Sequence, residues 1–266
     1  MAADMPPPKE SHPIGDRFSQ PAVWGHLITD PYTERRQRML GEMVPHGVKT
    51  MLDVGCGDGA ITNHLAHRWQ VTGVDLSATA LKHLETDAVQ ASATDLPFPN
   101  DSFDLVLSSE MLEHLPPKEY RQAISEMSRV TRRYLLLTVP YREDLRFRQV
   151  KCPQCGWQGH VWGHRRAFTP ELLARDLSGF QAVEARTFGP LQEPHWPRWL
   201  IWSCHRLLNA YYWAPGQHPM CERCSNTDFN DTRAIPEILS RLHRRLTRHH
   251  RGMPFWLAIL ADAGQQ

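Results

Sequence analysis

Leu52-Asp-Val-Gly-Cys-Gly-Asp-Gly59 lies between two segments of opposite character. Before it, Val48 to Val54 is a short apolar run that reads as a buried strand, and after it Ile61 to Arg68 reads as a helix. Glycines at 55, 57 and 59 let the backbone turn sharply and let a ligand approach the main chain, where helix N–H groups stand exposed. As a bare pattern, Gly55-x-Gly57-x-x-Ala60 also satisfies the dinucleotide fingerprint. Asp53 separates the readings, because a carboxylate two residues before the first glycine repels a doubly anionic pyrophosphate and attracts a cationic ligand. Asp75, at the end of the second strand, suits ribose hydroxyls in either case.

Outward from this loop, strand-like and helix-like segments alternate. Pro31 to Val44 is helical in pattern; Val71 to Leu76 is a strand and Ala78 to Leu84 a helix. Val89 to Ala93 and Phe103 to Ser108 read as strands, followed by an amphipathic helix over Lys118 to Thr131. Tyr134 to Val139 is a strand, Pro170 to Leu177 a helix, and Ala182 to Thr187 a strand. Phe255-Trp-Leu-Ala-Ile-Leu-Ala261 is apolar and of strand length, too short to span a membrane, and reads as a last strand returning to the sheet. Such βαβα alternation predicts a parallel sheet covered on both faces by helices. Two stretches interrupt it, at about 142–166 and 190–253, and residues 1–20 are Pro-rich and polar, expected to form a disordered tail. The rest, 21–266, is expected to be one domain.

With these residues in place, the chain resembles the class I S-adenosylmethionine (SAM)-dependent methyltransferases. The resemblance rests on Asp53-Val-Gly-Cys-Gly-Asp-Gly59, Val74-Asp-Leu-Ser77, Ala93-Thr-Asp-Leu-Pro-Phe98, Ser102-Phe-Asp-Leu-Val-Leu107 and Glu110-Met-Leu-Glu-His-Leu115, in that order over residues 48–139. It implies a Rossmann-like α/β fold with seven strands, the last one antiparallel. SAM carries an ammonium and a sulfonium, which agrees with Asp53. The resemblance further implies that the loop at Gly55, Cys56 and Gly57 borders the methionine moiety, that Asp75 and the adjoining Leu76 hold the ribose, and that Thr94, Asp95 and Leu96 flank the adenine. Ser109 and Glu110 would line the methyl-transfer side, and Tyr32 and Arg36 would reach the methionine carboxylate from an N-terminal helix.

Methyl transfer discharges the sulfonium charge, so the protein mostly has to align the acceptor and exclude water. An oxygen acceptor also benefits from a base. His114, just past the fourth strand, is the candidate, and Tyr141, just past the fifth, is either a second one or pocket wall.

Cys152-Pro-Gln-Cys155 and Cys221-Glu-Arg-Cys224 are two Cys-x-x-Cys knuckles. Together they can complete a tetrahedral zinc site of four thiolates with bonds of about 2.3 Å, structural in kind because such a set leaves no open position. Free thiols, a redox pair or another metal are the alternatives. Both interrupting stretches leave the sheet at its carboxyl edge, so the expectation is a zinc-pinned lid over the cofactor cleft. His160 and His164 follow closely and could replace a cysteine ligand. Cys-x-x-Cys followed by Gly163-His-Arg-Arg-Ala-Phe168 is similar to a motif in a subset of class I methyltransferases of bacterial biosynthetic pathways. Cys56 and Cys204 read as packing residues.

Composition narrows the rest. Lys+Arg 30 against Asp+Glu 29 gives no general grip on nucleic acid, and 41% apolar residues exclude a disordered chain. The first residues lack a signal-peptide core, so a cytoplasmic location is expected. Residues 233–251 read as a basic amphipathic helix, first a solvated face and otherwise a contact for a phosphate-bearing substrate, RNA or, peripherally, an anionic membrane surface. Six of the nine tryptophans lie between Trp157 and Trp213, either as a small second core or as an aromatic acceptor pocket.

The leading expectation is therefore transfer of a methyl group to an oxygen of a small-molecule or glycoconjugate intermediate. An rRNA or tRNA methyltransferase is the alternative, disfavoured because Ser108-Ser-Glu110 stands where a base N-methyltransferase has Asp/Asn-Pro-Pro-Tyr. A nicotinamide oxidoreductase and a non-catalytic module that kept the fold are the others. None of the six tyrosines has a lysine four residues later, which removes the short-chain dehydrogenase pair.

Overall fold

The computed structural model describes residues 31–146, 148–192, 197–207, 209–211, 219–229, 233–234, 245 and 253–264. The expected tail at 1–20 and most of the 233–251 segment lie outside them. Arg233–Ala234 forms a two-residue strand, so the expected helix does not begin at 233. Its partner is Ala210–Tyr211, and that pairing claims the backbone bonds a helical turn would use.

The elements are α1 (Pro31–Met43), β1 (Thr50–Val54), α2 (Ala60–Ala66), β2 (Gln70–Asp75), β3 (Asp87–Gln90), β4 (Phe103–Ser109) and α3 (Pro117–Val130). They continue with β5 (Thr131–Pro140), β6 (Gln149–Lys151), β7 (Gln158–His160), α4 (Pro170–Asp176), β8 (Gln181–Leu191) and α5 (Arg198–Leu207). β9 (Ala210–Tyr211), β10 (Arg233–Ala234) and β11 (Pro254–Asp262) complete the order. A seven-stranded sheet runs β3-β2-β1-β4-β5-β11-β8. β1 to β5 are mutually parallel, and β11 enters antiparallel between β5 and β8. This is the expected Rossmann-like α/β architecture with its returning last strand.

The central strands are apolar on both faces because helices cover both. Along β5, Leu135, Leu137 and Val139 face a cluster with α3 and α4, while Leu136 faces the cluster of α1 and α2. Along β11, Leu257, Ile259 and Ala261 go one way, and Trp256, Ala258 and Leu260 the other. Each fully buried leucine contributes roughly 1.5–3 kcal/mol by leaving water. α3 starts at Pro117, whose missing N–H and fixed φ suit a first turn, and buries Tyr120, Ala123, Ile124, Met127 and Val130.

One expectation is corrected. Ala78 to Leu84 is not an α-helix but a short 3-10 turn over Ala80–His83. The Asn63 side chain donates to His83 C=O (3.0 Å) and accepts from Glu85 N–H (2.9 Å), which ends the turn there. Leu84 packs into the space left by Gly59 and Gly73, where an added Cβ would meet it at 2.9 and 2.3 Å.

Among the described residues, no helix is long and apolar enough to cross a membrane.

Candidate functional site

Because β1 to β5 are parallel, the loops after them gather at one edge of the sheet. The Gly55–Gly59 turn is tied to the next strand by Gly55 and Cys56 N–H groups, both donating to Val74 C=O at 2.8 and 3.0 Å. Gly55 has φ 76°, and a Cβ there would meet Met111 Cγ at 2.5 Å, so no other residue fits without displacing Met111. Asp75 fixes the same loop. Its Oδ2 accepts from Gly57 N–H at 3.0 Å and its Oδ1 from Ser77 N–H at 2.8 Å.

Asp53 is buried beside them, with Oδ2 accepting from the Thr62 hydroxyl at 2.7 Å and Oδ1 lacking a hydrogen-bond partner. Burial pushes its carboxyl up to about 7, opposed by Thr62 and reinforced by Asp75. Burial also raises Asp75, against the pull of its amide donors. The Cys56 thiol is driven far upward by burial and by Asp53, Asp75 and Asp58, so it stays protonated and packs. An uncompensated carboxylate at the loop favours a cation there.

Next along the edge, Thr94 shares a hydrogen bond with Ser92 (2.8 Å), Asp95 is exposed, and Leu96 is buried in the core. The Leu96 N–H is taken by Glu126 Oε2 (2.9 Å), and Arg129 donates to the carbonyls of Leu96 (3.0 Å) and Phe98 (2.7 Å). Glu126 and Arg129 thus clamp this loop onto α3. Leu76 is half-exposed at the end of β2.

At the end of β4, Ser109 and Thr138 hydroxyls share a hydrogen bond of 2.8 Å. Glu110 adopts φ 57°, is half-buried, and accepts from Trp256 Nε1 at 2.6 Å through Oε2. Its Oε1 has no hydrogen-bond partner. Burial pushes the Glu110 carboxyl up to about 7, moderated by the Arg36 charge and Trp256. Arg36 lies 4.3 Å above the Trp256 ring, and Tyr32 meets the same ring edge-on at 5.9 Å. The structure therefore brings Tyr32, Arg36 and Glu110 together around Trp256, a residue the sequence analysis used only as part of a strand. Tyr141 packs against the core, donates its N–H to Phe255 C=O (2.7 Å) and bridges Phe168, all structural contacts.

The cysteine knuckles meet. Cys152 Sγ lies 3.6 Å from Cys224 Sγ and Cys155 Sγ 3.4 Å from Cys221 Sγ, with all four sulfurs within 4.8 Å of one another and none in a disulfide. The antiparallel β6–β7 pair presents the first knuckle, and Val150, Val161 and Phe229 bury the cluster's base. Burial alone would raise the Cys152 thiol, but the Cys155 and Gln154 amides outweigh it and bring the group down to about 7.

His160 and His164 do not join the thiols. They stack on each other at 4.8 Å, and His164 Nδ1 pairs with Glu143 Oε2 at 2.5 Å. His164 also meets the His114 ring at 4.9 Å. Glu113 and Glu143, beside these histidines, gave no sequence signal except Glu113's adjacency to His114.

A seven-stranded sheet of this order with a ligand-shaped glycine loop at its carboxyl edge defines the class I methyltransferase fold. A methyltransferase-domain family model matches residues 52–135. An uncharacterized methyltransferase of Mycobacterium tuberculosis is 37% identical over 97 residues, 34% of this chain and 48% of that protein. A ubiquinone biosynthesis O-methyltransferase of Albidiferax ferrireducens is 33% identical over 93 residues, 30% of this chain and 37% of that one. The crystal structure of a SAM-dependent methyltransferase from Archaeoglobus fulgidus superposes with TM-score 0.55 at 20% identity, covering 90% of this chain and 98% of that one. Residues 52–135 are thus a methyltransferase domain, and the chain has the fold of the class I SAM-dependent methyltransferases. It spans about half the length, or less, of the curated relatives described here.

Proposed function

We propose that this chain is a SAM-dependent methyltransferase that methylates an oxygen of a small-molecule or glycoconjugate biosynthetic intermediate. The observation that carries the reading is the buried Asp53 carboxylate, its Oδ1 unpartnered, beside a Gly55 turn that admits no side chain. Those residues fit SAM: Asp53 suits its ammonium, and the remaining lone pairs of Asp75 suit its ribose hydroxyls. Arg36, whose Nε is buried without a hydrogen-bond partner, suits its carboxylate, with Tyr32 alongside. The Gly55–Gly57 main chain and Cys56 border the methionine moiety, while Leu76, Thr94, Asp95 and Leu96 enclose the adenosine. SAM supplies an electrophilic methyl on a cationic sulfur. The chain's own work is to align the acceptor near Ser109 and Glu110 and to keep water out. His114, in the turn just past β4, is assigned to the acceptor's hydroxyl, and Tyr141 to the pocket wall.

The preference for oxygen is supported by the name of the Albidiferax relative, a ubiquinone biosynthesis O-methyltransferase. The four thiols fit zinc, since a tetrahedron with bonds of about 2.3 Å has edges of about 3.8 Å, near the observed 3.4 and 3.6 Å. Zinc would be structural, pinning the 142–166 and 190–253 segments into a lid.

Isothermal calorimetry against SAM and NAD tests the class. Binding of SAM with no heat from NAD is the expected result, and binding of NAD alone overturns it. Labelled SAM incubated with extracts of the source cell then identifies the acceptor.

A further inference from the structure

We propose that Glu113, His114 and His164 form a second metal site, distinct from the cysteine cluster, that holds a divalent transition ion and presents it to the acceptor. One donor atom from each of the three residues falls within 4.8 Å of the others. One ion can draw such a set together at bonds of about 2.0–2.2 Å.

Two observations point to a ligand there. Glu113 is completely buried, and neither of its carboxylate oxygens has a hydrogen-bond partner. A buried carboxylate in that condition costs several kcal/mol unless a cation or a proton compensates it. The second is the support behind His164. Its Nδ1 pairs with Glu143 Oε2, so an ion would be met by Nε2, in the carboxylate–histidine–metal arrangement that fixes a metal-binding imidazole. His160 braces that ring by stacking on it, and its Nδ1 accepts from the His164 backbone N–H (3.4 Å).

The site joins the two parts of the fold. Glu113 and His114 lie in the 3-10 turn after β4, and His164 follows the β6–β7 pair. Arg165 N–H donates to Glu113 C=O at 2.8 Å, and the Arg166 guanidinium donates to Leu115 C=O. These bonds hold the three donors in register whether or not an ion is bound.

Two histidines and one carboxylate with positions left open suit iron(II), manganese(II) or zinc and leave room for an acceptor oxygen. This role rests on the methyltransferase reading above. His114 would then serve the acceptor through the ion rather than as a base: a hydroxyl bound to the ion would give its proton to bulk water more readily, before the site closes on SAM. The oxygen then forms the O–CH3 bond as the C–S bond breaks, and that electron pair stays on sulfur. The acceptor class is thus a hydroxylated compound able to chelate, such as a vicinal diol or diphenol.

Metal content of the full chain, reconstituted with excess zinc and desalted, tests the site without SAM or acceptor. Two zinc per chain are expected in the wild type, and one in Glu113→Gln and in His164→Gln. Glu143→Gln should weaken the site about 10–100-fold while leaving the ligands intact. Manganese(II) titration followed by electron paramagnetic resonance gives a second reading, because manganese prefers this nitrogen–oxygen set over thiolates. One manganese bound by the wild type supports the site even where a variant fails to fold. One zinc and no manganese in the wild type, or two zinc retained in both ligand variants, overturns it. SAM calorimetry is unaffected by either outcome, so loss of this site and loss of the methyltransferase reading are told apart.

Discussion

Asp53 is a single carboxyl whose state decides how the loop meets a cation. Burial holds it up to about 7, so it is largely protonated below that value and ionised above it. An ammonium bound beside it stabilises the ionised form, so binding at lower pH must expel a proton. SAM affinity should therefore rise with pH from about 6 to about 8 and then level, with proton release measurable by calorimetry in buffers of different ionisation enthalpy. Asp53→Asn removes the charge and should weaken SAM about 10–100-fold, the equivalent of ~1.5–3 kcal/mol for a hydrogen bond to a charged group. It should also flatten the profile; a variant that keeps the wild-type slope would assign that slope to Glu110, the other carboxyl raised to about 7. At this scale the sequence was informative about Asp53 and Asp75 because glycines and acids at fixed offsets mark them. It was silent on Trp256, which looks like any strand tryptophan until Arg36, Tyr32 and Glu110 are seen around it.

At the scale of elements, β1 and the turn after it act as one piece. Gly55→Ala puts a Cβ 2.5 Å from Met111 Cγ at a φ of 76°. Both effects are unfavourable, and together they should cost about 1–3 kcal/mol in thermal unfolding and remove measurable SAM binding. Adding Met111→Ala relieves the contact but not the dihedral, so stability should recover in part and SAM affinity less. Full recovery would place the whole effect in the contact. The strands were legible because β4, β5 and β11 are nearly continuous apolar runs, as strands buried on both faces must be. The 80–83 turn was not, because its ending is set by Asn63, 20 residues away in sequence from His83. Local pattern carries no trace of such a contact.

For the whole molecule, the question is how firmly the cysteine cluster is coupled to the sheet. Its buried neighbours, Val150, Val161 and Phe229, form a cluster of their own, separate from the two that pack the sheet. The knuckles, with 65 residues between them in sequence, were legible because cysteine is rare and Cys-x-x-Cys is a spacing with chemistry behind it. Glu113, Glu143 and His164 were not legible as a group, because acids are common and these meet only when the β6–β7 segment folds back over the turn after β4. That division sets the outcome of breaking the cluster. Cys221→Ser with Cys224→Ser should lose one zinc per chain and open residues 142–166 to limited proteolysis, while the sheet keeps its unfolding transition. SAM affinity should stay within about 2-fold, since Asp53, Gly55 and Asp75 are held by β1, β2 and α2 rather than by the knuckles. Turnover of the acceptor should fall far more than SAM affinity, because the cluster holds the segment that carries His164 to His114. Equal losses in both would mean that the cysteine cluster supports the cofactor cleft itself rather than a lid above it.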